Sequence, residues 1–357
     1  PIRQFTFGQV NTDTTIQNFD GTSQNGSWPP DTDGDVGLTR YFQVVNTKYA
    51  IYDKTGIKLV GPSNNSVIFT GLPHNTNDGD GIVLYDEQAD RWLFSQFALP
   101  NYPNGPFYEN VAISQTNDPA GTWYRYQFTF TNMPDYPKLS VWQDAYYMTA
   151  RMFSSGSGNW IGPSAIALDR TKMLAGDVTA SMIMFSFPSS SEGPLSAHCN
   201  GTFPTAGTPC PFVYLTGSSV KIYDFHADFT TPANSTFSNT STITISPYAV
   251  FGNGSNSIPQ KSTSVKLDAF SRKGCMFRMP YRKFSTHSSM LITTTVNLTG
   301  VGGIRWMELR NVAGTWSLYQ EGTYSPDAHS RWMQSIAMDS TGNIALGFSI
   351  SSSSMFP

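Results

Sequence analysis

The 357-residue chain has little charge: Asp, Glu, Lys and Arg make up only 13% of it, and 22 basic against 25 acidic side chains leave a net charge of -3. Soluble proteins usually carry about 25% charged residues, so a broad surface of one sign is excluded. Nucleic-acid binding of ordinary strength needs clustered Lys and Arg to release counterions from phosphates. No such run exists, and nucleic acid is excluded as a partner. A membrane-spanning helix needs about 18 or more uncharged apolar residues in succession, which the chain also lacks. Its five histidines (His74, His198, His226, His287, His329) show no H-x-x-H spacing and its three cysteines no C-x-x-C, so a zinc site is not expected. Missing too are the G-x-S-x-G elbow, the G-x-x-x-x-G-K-[ST] loop and a strand-linked G-x-G-x-x-G, which removes the usual esterase, nucleoside-triphosphatase and dinucleotide signatures. Helical spacing of apolar residues is absent from every long window, and 30 Gly and 23 Pro interrupt nearly every segment.

What remains is rich in aromatics. A 39% hydrophobic fraction containing 24 Phe, 17 Tyr and 8 Trp is ample for a buried core. The recurring unit is a short strand, a turn with Asp, Gly, Asn or Ser, and a second strand of β-branched and aromatic residues. Six such units start at Val36, Ile82, Leu139, Phe212, Phe277 and Ile336, a mean period of 60 residues. The fold class expected is all-β, a β-propeller of six blade-like units, with a pair of β-sandwiches as the competing architecture. Residues 1–357 then form one domain, in which residues 1–30, through Arg3 to Val10, pair into the last blade. Ser114 to Tyr126, SQTNDPAGTWYRY, is similar to the Asp-box of sialidase-like propellers. There Asp118 and Gly121 build the turn and Trp123 packs between blades.

Further strings carry a wider resemblance: PPDTDGDVG (Pro29 to Gly37), LYDEQADRWLFSQFA (Leu84 to Ala98), DYPKLSVWQDAYYMT (Asp135 to Thr149), ALDRTKMLAGD (Ala167 to Asp177), GIRWMELR (Gly303 to Arg310) and the stretch from Tyr319 to Ser352. In this order they resemble a widespread group of exported, largely uncharacterised bacterial β-propeller proteins. The resemblance implies a propeller in an extracellular or cell-surface setting and little about chemistry. It also implies a further blade beyond the GNIALGFSISS strand, missing here or supplied by a partner through an open blade edge. The first residue, Pro1, fits a mature exported chain. N-x-S/T acceptors at Asn25, Asn64, Asn200, Asn234, Asn239, Asn253 and Asn297 permit glycosylation. Between Cys199 and Cys210 a disulfide closing a small loop is expected, and Cys275 reads as a buried, inert thiol.

Propellers gather ligands at a central funnel, on turns leading into the innermost strands. Those inlet turns are TDGD before Val36, NDGDG before Ile82, DYPK before Leu139 and SPDAHSRWMQS before Ile336. They would bring Asp33, Asp35, Asp78, Asp80, Asp135 and Asp327 together with Lys138 and Arg331. Three readings stay open. Asp and Gly are good turn formers whose carboxylates accept backbone N–H bonds. Asp31, Asp33 and Asp35 alternate as in a calcium loop, with Gly34 at the tight turn, making calcium the one cofactor suggested. Paired carboxylates, one protonated and one ionised, would serve catalysis on a glycan. Arg282, Arg305, Arg310 and Arg331 with Glu308 and Tyr324 match a sialidase site in number only. Arg305, Met307 and Leu309 share one face of their strand while Trp306, Glu308 and Arg310 share the other, which reads as packing and ion pairing. Trp142, Tyr146, Tyr147, Trp306 and Trp316 read as filler between blades. The function expected is a secreted, non-catalytic module that binds a glycan or another extracellular protein or assembles with itself. The alternative is a carbohydrate-active hydrolase or lyase using funnel carboxylates.

Overall fold

The structure, a computed structural model, describes residues 3–4, 17–251, 256–269 and 274–357. Asn253 and residues 5–16 lie outside them. The described chain is all-β apart from one six-residue helix and two 3-10 turns. It divides into two compact units. An N-terminal unit holds residues 17–190 and Ala227–Asn234; a C-terminal unit holds Ser191–His226, Ser235–Pro357 and the short strand β1 (Arg3–Gln4).

The N-terminal unit is built from three four-stranded antiparallel sheets, each a meander whose spatial order follows the sequence. The first contains β2 (Thr32–Val36), β3 (Arg40–Val45), β4 (Lys48–Asp53) and β5 (Lys58–Asn64). In the second are β6 (Ile82–Asp86), β7 (Arg91–Ala98), β8 (Phe107–Ser114) and β9 (Trp123–Phe130). The third comprises β10 (Met133–Val141), β11 (Ala145–Phe153), β12 (Trp160–Asp169) and β13 (Met182–Ser186), with helix α1 (Arg170–Ala175) between the last two. Turn chemistry explains the meanders. Asn46 takes φ 47° in the two-residue turn between β3 and β4, the geometry that matches strand twist. Asp53 accepts the N–H groups of Thr55 and Ile57, closing the next turn. Residues 17–30 lie on this sheet, with Phe19 against Tyr41 and Tyr52.

The first two sheets share a core of Phe42, Tyr49, Phe69, Trp92, Phe94 and Trp123. Trp123, of the Asp-box-like turn, sits 6.2 Å from Phe42 across that junction, and Gly121 N–H bonds to Asp118 O at 3.1 Å within the turn. Full burial of each such ring is worth about 1.5–3 kcal/mol. The inner strands are joined by side chains. Asp33 Oδ2 accepts Val83 N–H and Asp35 Oδ2 accepts Tyr85 N–H, both at 2.9 Å, so carboxylates of β2 satisfy donors on the edge of β6 that no strand covers. Asp86, at the other end of β6, pairs with Arg170 of α1 at 2.7 Å and accepts the Tyr146 hydroxyl at 2.9 Å. Trp142, Tyr146 and Tyr147 are fully buried.

In the C-terminal unit, β14 (Leu195–Asn200), β15 (Cys210–Leu215), β16 (Ser219–His226) and β17 (Thr236–Thr244) form an antiparallel run. Next in sequence come the ribbon of β18 (Asn256–Ile258) and β19 (Leu267–Asp268), then β20 (Met279–Lys283), β21 (Ser288–Leu298), β22 (Val301–Val312) and β23 (Thr315–Tyr324). A second ribbon pairs β24 (Ser330–Met338) with β25 (Ile344–Ser351). β14 runs parallel to β20, Ala197 beside Met279, and so fuses the two larger groups into one sheet that β1 extends beside Thr323 and Tyr324. The six sequence units therefore correspond, among the described residues, to three separate four-stranded sheets, two groups within one nine-stranded sheet, and a ribbon. Alternation along β22 holds: Arg305, Met307 and Leu309 are buried, Arg305 pairing with Glu321, while Glu308 on the other face accepts from Ser289 and Arg310 at 2.7 Å.

The expected disulfide is not formed, and all three cysteines are free thiols. Strand register supplies the reason. β14 and β15 pair Leu195 with Val213 and Ser196 with Phe212; by the same count the residue facing Cys210 is His198, and Cys199 projects from the opposite face. Each thiol turns to a carbonyl instead, Cys199 to Thr202 and Cys210 to Ala197, both at 3.7 Å. Burial pushes the Cys275 thiol up to about 12, which keeps it inert at neutral pH. Among the described residues no helix is long and apolar enough to cross a membrane.

Candidate functional site

Three acidic residues of the N-terminal unit occupy corresponding places at the start of the three inner strands. Asp31 immediately precedes β2, Asp80 stands two residues before β6, and Asp135 is the third residue of β10. Each place is marked by an uncommon left-handed backbone: φ is 39° at Asp31, 51° at Asp80 and 53° at Tyr136, just after Asp135. At the third, the β10–β11 register slips between Asp135 and Lys138, a bulge that re-aims the side chains it displaces. The glycines around Asp80 are dictated by space. A Cβ on Gly79, itself at φ 100°, would meet Asn46 Oδ1 at 2.3 Å, and one on Gly81 would meet Val44 Cγ2 at 2.7 Å.

The segment leading to Asp80 is held by a row of amides. Gln96, Asn110 and Gln127 stand side by side across β7, β8 and β9. Gln96 Nε2 donates to Thr76 O at 3.0 Å, and Asn110 Nδ2 and Gln127 Nε2 donate to His74 O at 3.0 and 2.6 Å. Asp78, one of the inlet carboxylates, accepts Leu99 N–H at 2.6 Å and the Thr76 hydroxyl. It therefore fastens this segment to the chain beyond β7.

The electrostatics tie the three inlets together. Burial, foremost, raises Asp80 to about 6, helped by the charges of Asp31 and Asp135 and by a hydrogen bond to the Asp31 carboxyl, while Lys138 opposes the rise. Asp31 is raised too, by burial first, against the lowering effects of Lys138, Asn46 and the Asp80 hydrogen bond. A hydrogen bond between two carboxyls requires a proton on one of them, so Asp31 and Asp80 act as a coupled pair, both raised chiefly by burial. Asn46 steadies Asp31, its Nδ2 reaching Oδ2 at 3.2 Å.

Glu109 of β8 extends the group. It is 1% exposed, and neither of its carboxyl oxygens has a hydrogen-bond partner among the described residues. Burial raises it to about 8; the Asp80 charge adds to the rise, and the nearby Ser95 hydroxyl and Lys138 pull it back. At neutral pH it is therefore mostly a neutral acid. Sequence reasoning missed this residue, although β8, FYENVAIS, is buried throughout, and one carboxyl in such a strand is a signal in itself. Asp135 also lines a cavity of about 280 Å³, together with Tyr102, Pro103, Met133, Phe153, Ser154 and Gly158.

The sequence candidates thus separate. Asp80, Asp135 and Lys138 come together with Asp31. Asp33 and Asp35 lie on strand β2 and bond to the backbone of β6. Asp327 and Arg331 belong to the C-terminal unit, where they form a two-pronged pair at 2.8 and 2.9 Å. Asp31, Asp33 and Asp35 were the calcium candidates; among the described residues no three or more His, Cys, Asp or Glu side chains are grouped to hold a metal ion.

No family model and no curated protein matches the chain. Similar solved structures include an exo-β-1,3-galactanase from Clostridium thermocellum, 10% identical over 97% of this chain and 76% of that one, with a TM-score of 0.40. An exo-1,5-α-L-arabinanase from a bovine ruminal metagenomic library is 9% identical over 89% and 96%, TM-score 0.33. The WD40 domain of SCAP from fission yeast is 9% identical over 85% and 62%, TM-score 0.37. The choice between catalysis and binding rests on the site.

Proposed function

We propose that the protein cleaves glycosidic bonds with the carboxyl groups of its N-terminal unit. The observation that carries this reading is that Asp31, Asp80 and Asp135, at the starts of three successive inner strands, interact electrostatically, the first two through a hydrogen bond between their carboxyls. Glycoside hydrolysis needs one carboxyl that holds a proton and one that is ionised. Asp80 serves as the acid, Asp31 as the partner that keeps its proton in place, and Asp135, beside the cavity, as the carboxylate that receives a proton from water. Lys138 offsets the accumulated negative charge. This reverses the order of the two expectations from sequence, because a purely structural inlet would engage its carboxylates with backbone N–H donors, as those of Asp33, Asp35 and Asp78 are engaged.

A count of six blade-like units, and an extracellular setting, belong to the same proposal. Three blade-like meanders side by side support the first, and the weakly charged, Ser/Thr/Asn-rich chain supports the second. Reducing-end release from a panel of neutral and acidic polysaccharides tests the function. Activity is expected in the wild-type chain and should fall about 10²-fold or more in Asp80→Asn and Asp135→Asn. A folded wild-type chain that releases nothing, or variants as active as wild type, would leave the non-catalytic module as the better reading.

A further inference from the structure

Of the eight tryptophans, Trp92, Trp123, Trp142 and Trp332 are buried and Trp160, Trp306 and Trp316 half-buried, whereas Trp28 is 86% exposed. Indole is a large apolar surface that proteins mostly bury, so holding one in water has a cost. The residues before it, Gly21 to Ser27, are small or polar, and two prolines follow. Trp28 is thus the one large apolar side chain between Gly21 and Pro30, whereas a protein–protein interface needs about 800 Å² on each partner.

The strap that bears the ring is fixed before any ligand arrives. On one side of Trp28, Asn25 Nδ2 donates to Val45 O at 2.8 Å and to Thr47 Oγ1 at 3.0 Å, and Gln24 Nε2 donates to Ser27 O at 2.9 Å. On the other side, Asn46 Nδ2 donates to Pro29 O at 3.2 Å. Pro29 and Pro30 narrow the backbone further, since proline fixes its own φ and restricts the residue before it. Trp28 is therefore held from both sides against the β3–β4 turn, which lowers the ordering cost of binding.

That turn also joins the ring to the carboxyls. Asn46 Nδ2 reaches Asp31 Oδ2, again at 3.2 Å, so one amide anchors both the strap and the first acid of the site. Trp28 stands three residues before Asp31, at most about 10 Å along an extended chain, a length of roughly two linked sugar rings. We propose that Trp28 is a stacking platform for one sugar ring of an extended glycan whose next rings lead to Asp31, Asp80 and Asp135, so that the protein selects oligosaccharides over single sugars. A sugar has an apolar C–H face and a rim of hydroxyls, which suits a lone indole flanked by Gln24, Asn25 and Ser27. The inference rests on the glycan reading above but is measured by binding and not by cleavage.

Its test is the emission of the exposed indole together with calorimetry, in the cold where turnover is slow, on wild type, Trp28→Ala and Trp28→Phe. The probes are glucose, xylose, galactose and galacturonate, and the tetrasaccharides cut from cellulose, xylan, galactan and pectate. Because Trp28 lies on the surface, neither substitution puts folding at stake. At least one tetrasaccharide is expected to bind and to change the emission of wild type, and its monosaccharide to bind at least about tenfold more weakly. Trp28→Ala should weaken the tetrasaccharide about tenfold, the scale of covering one aromatic face. Trp28→Phe should keep most of the affinity and lose the emission change. Equal tetrasaccharide binding by wild type and Trp28→Ala, no tetrasaccharide bound, or emission that follows protein concentration alone, as when a second copy covers the ring, would overturn the inference. Cleavage retained without Trp28-dependent binding sinks the platform alone; Trp28-dependent binding in a chain that cleaves nothing sinks the hydrolytic reading alone.

Discussion

Asp80 and Asp86 stand at the two ends of the same short strand, β6, and the protein treats them in opposite ways. Asp86 is fully buried, and its oxygens accept from Arg170, the Tyr146 hydroxyl and the N–H groups of Gln88 and Ala89. Asp80 is half-buried on a left-handed backbone, where burial and the charges of Asp31 and Asp135 raise it and Lys138 opposes the rise. The first arrangement surrounds a carboxyl group with a guanidinium and hydrogen-bond donors; the second sets one beside others and raises its affinity for a proton. Sharing a strand sets neither fate. What differs is which groups the neighbouring sheet aims at each end: a guanidinium from α1 at one, carboxylates from β2 and β10 at the other.

Removing each side chain turns this contrast into opposite signs. Asp86→Ala leaves Arg170 buried without its partner, and breaking a buried pair from one side costs about 3–5 kcal/mol. Denaturant titration should show that loss. Asp80→Asn should be neutral or stabilising at pH 8 while lowering any glycan-cleaving activity about 10²-fold or more. Equal destabilisation by the two changes would end the distinction between a structural and a poised acid.

The pH dependence sharpens it further. Asp80, raised from 3.8 to about 6, and Glu109, raised from 4.5 to about 8, both bind protons more tightly folded than unfolded. Their contribution to stability is fully present below about pH 4, and is lost as pH rises through 6 for Asp80 and through 8 for Glu109. Wild type should therefore lose stability between pH 4 and 9 relative to Glu109→Gln, by several kcal/mol and at most about 5. Parallel stability curves for the two proteins would contradict a neutral buried Glu109.

Much of the fold is legible in the sequence because turn chemistry is local. Asn46, Asp53, Asp118 and the glycines flanking Asp80 all do in the structure what their residue types require. The pairing of β14 with β20 is not legible, since Ala197 and Met279 meet through packing of segments some 80 residues apart in sequence. Nor was the fate of D-T-D-G-D: alternate carboxylates suggest a cation loop, yet a period of two is also that of a strand. The structure makes it β2, with Asp33 and Asp35 on one side. Cys199 and Cys210 failed as a pair for a related reason, a parity that composition cannot display. In the candidate site, Asp80, Asp135 and Lys138 were visible as inlet residues. Glu109 was hidden by its place in the interior of a strand, and Tyr102 by its loop.

The backbone around Asp80 offers a smaller test. Gly79→Ala puts a side chain on a φ of 100° and drives its Cβ toward the Asn46 amide, so a cost of about 1–3 kcal/mol is expected. Because Asn46 also holds Asp31, the activity of the folded variant should fall as well. Stability lost with full activity retained would detach Asn46 from the site.

At the other end of β6, Tyr146→Phe removes one neutral donor from Asp86 and leaves Arg170 in place. Both rings fill the same buried volume, so packing is unchanged and the difference isolates one hydrogen bond to a charged acceptor, about 1.5 kcal/mol. Thermal unfolding at pH 7 should show this modest loss, well below that of Asp86→Ala. A loss as large as that of Asp86→Ala would mean that the hydroxyl, and not the guanidinium, holds the carboxylate. The contrast between the two ends of β6 would then lie in hydrogen bonding and not in charge.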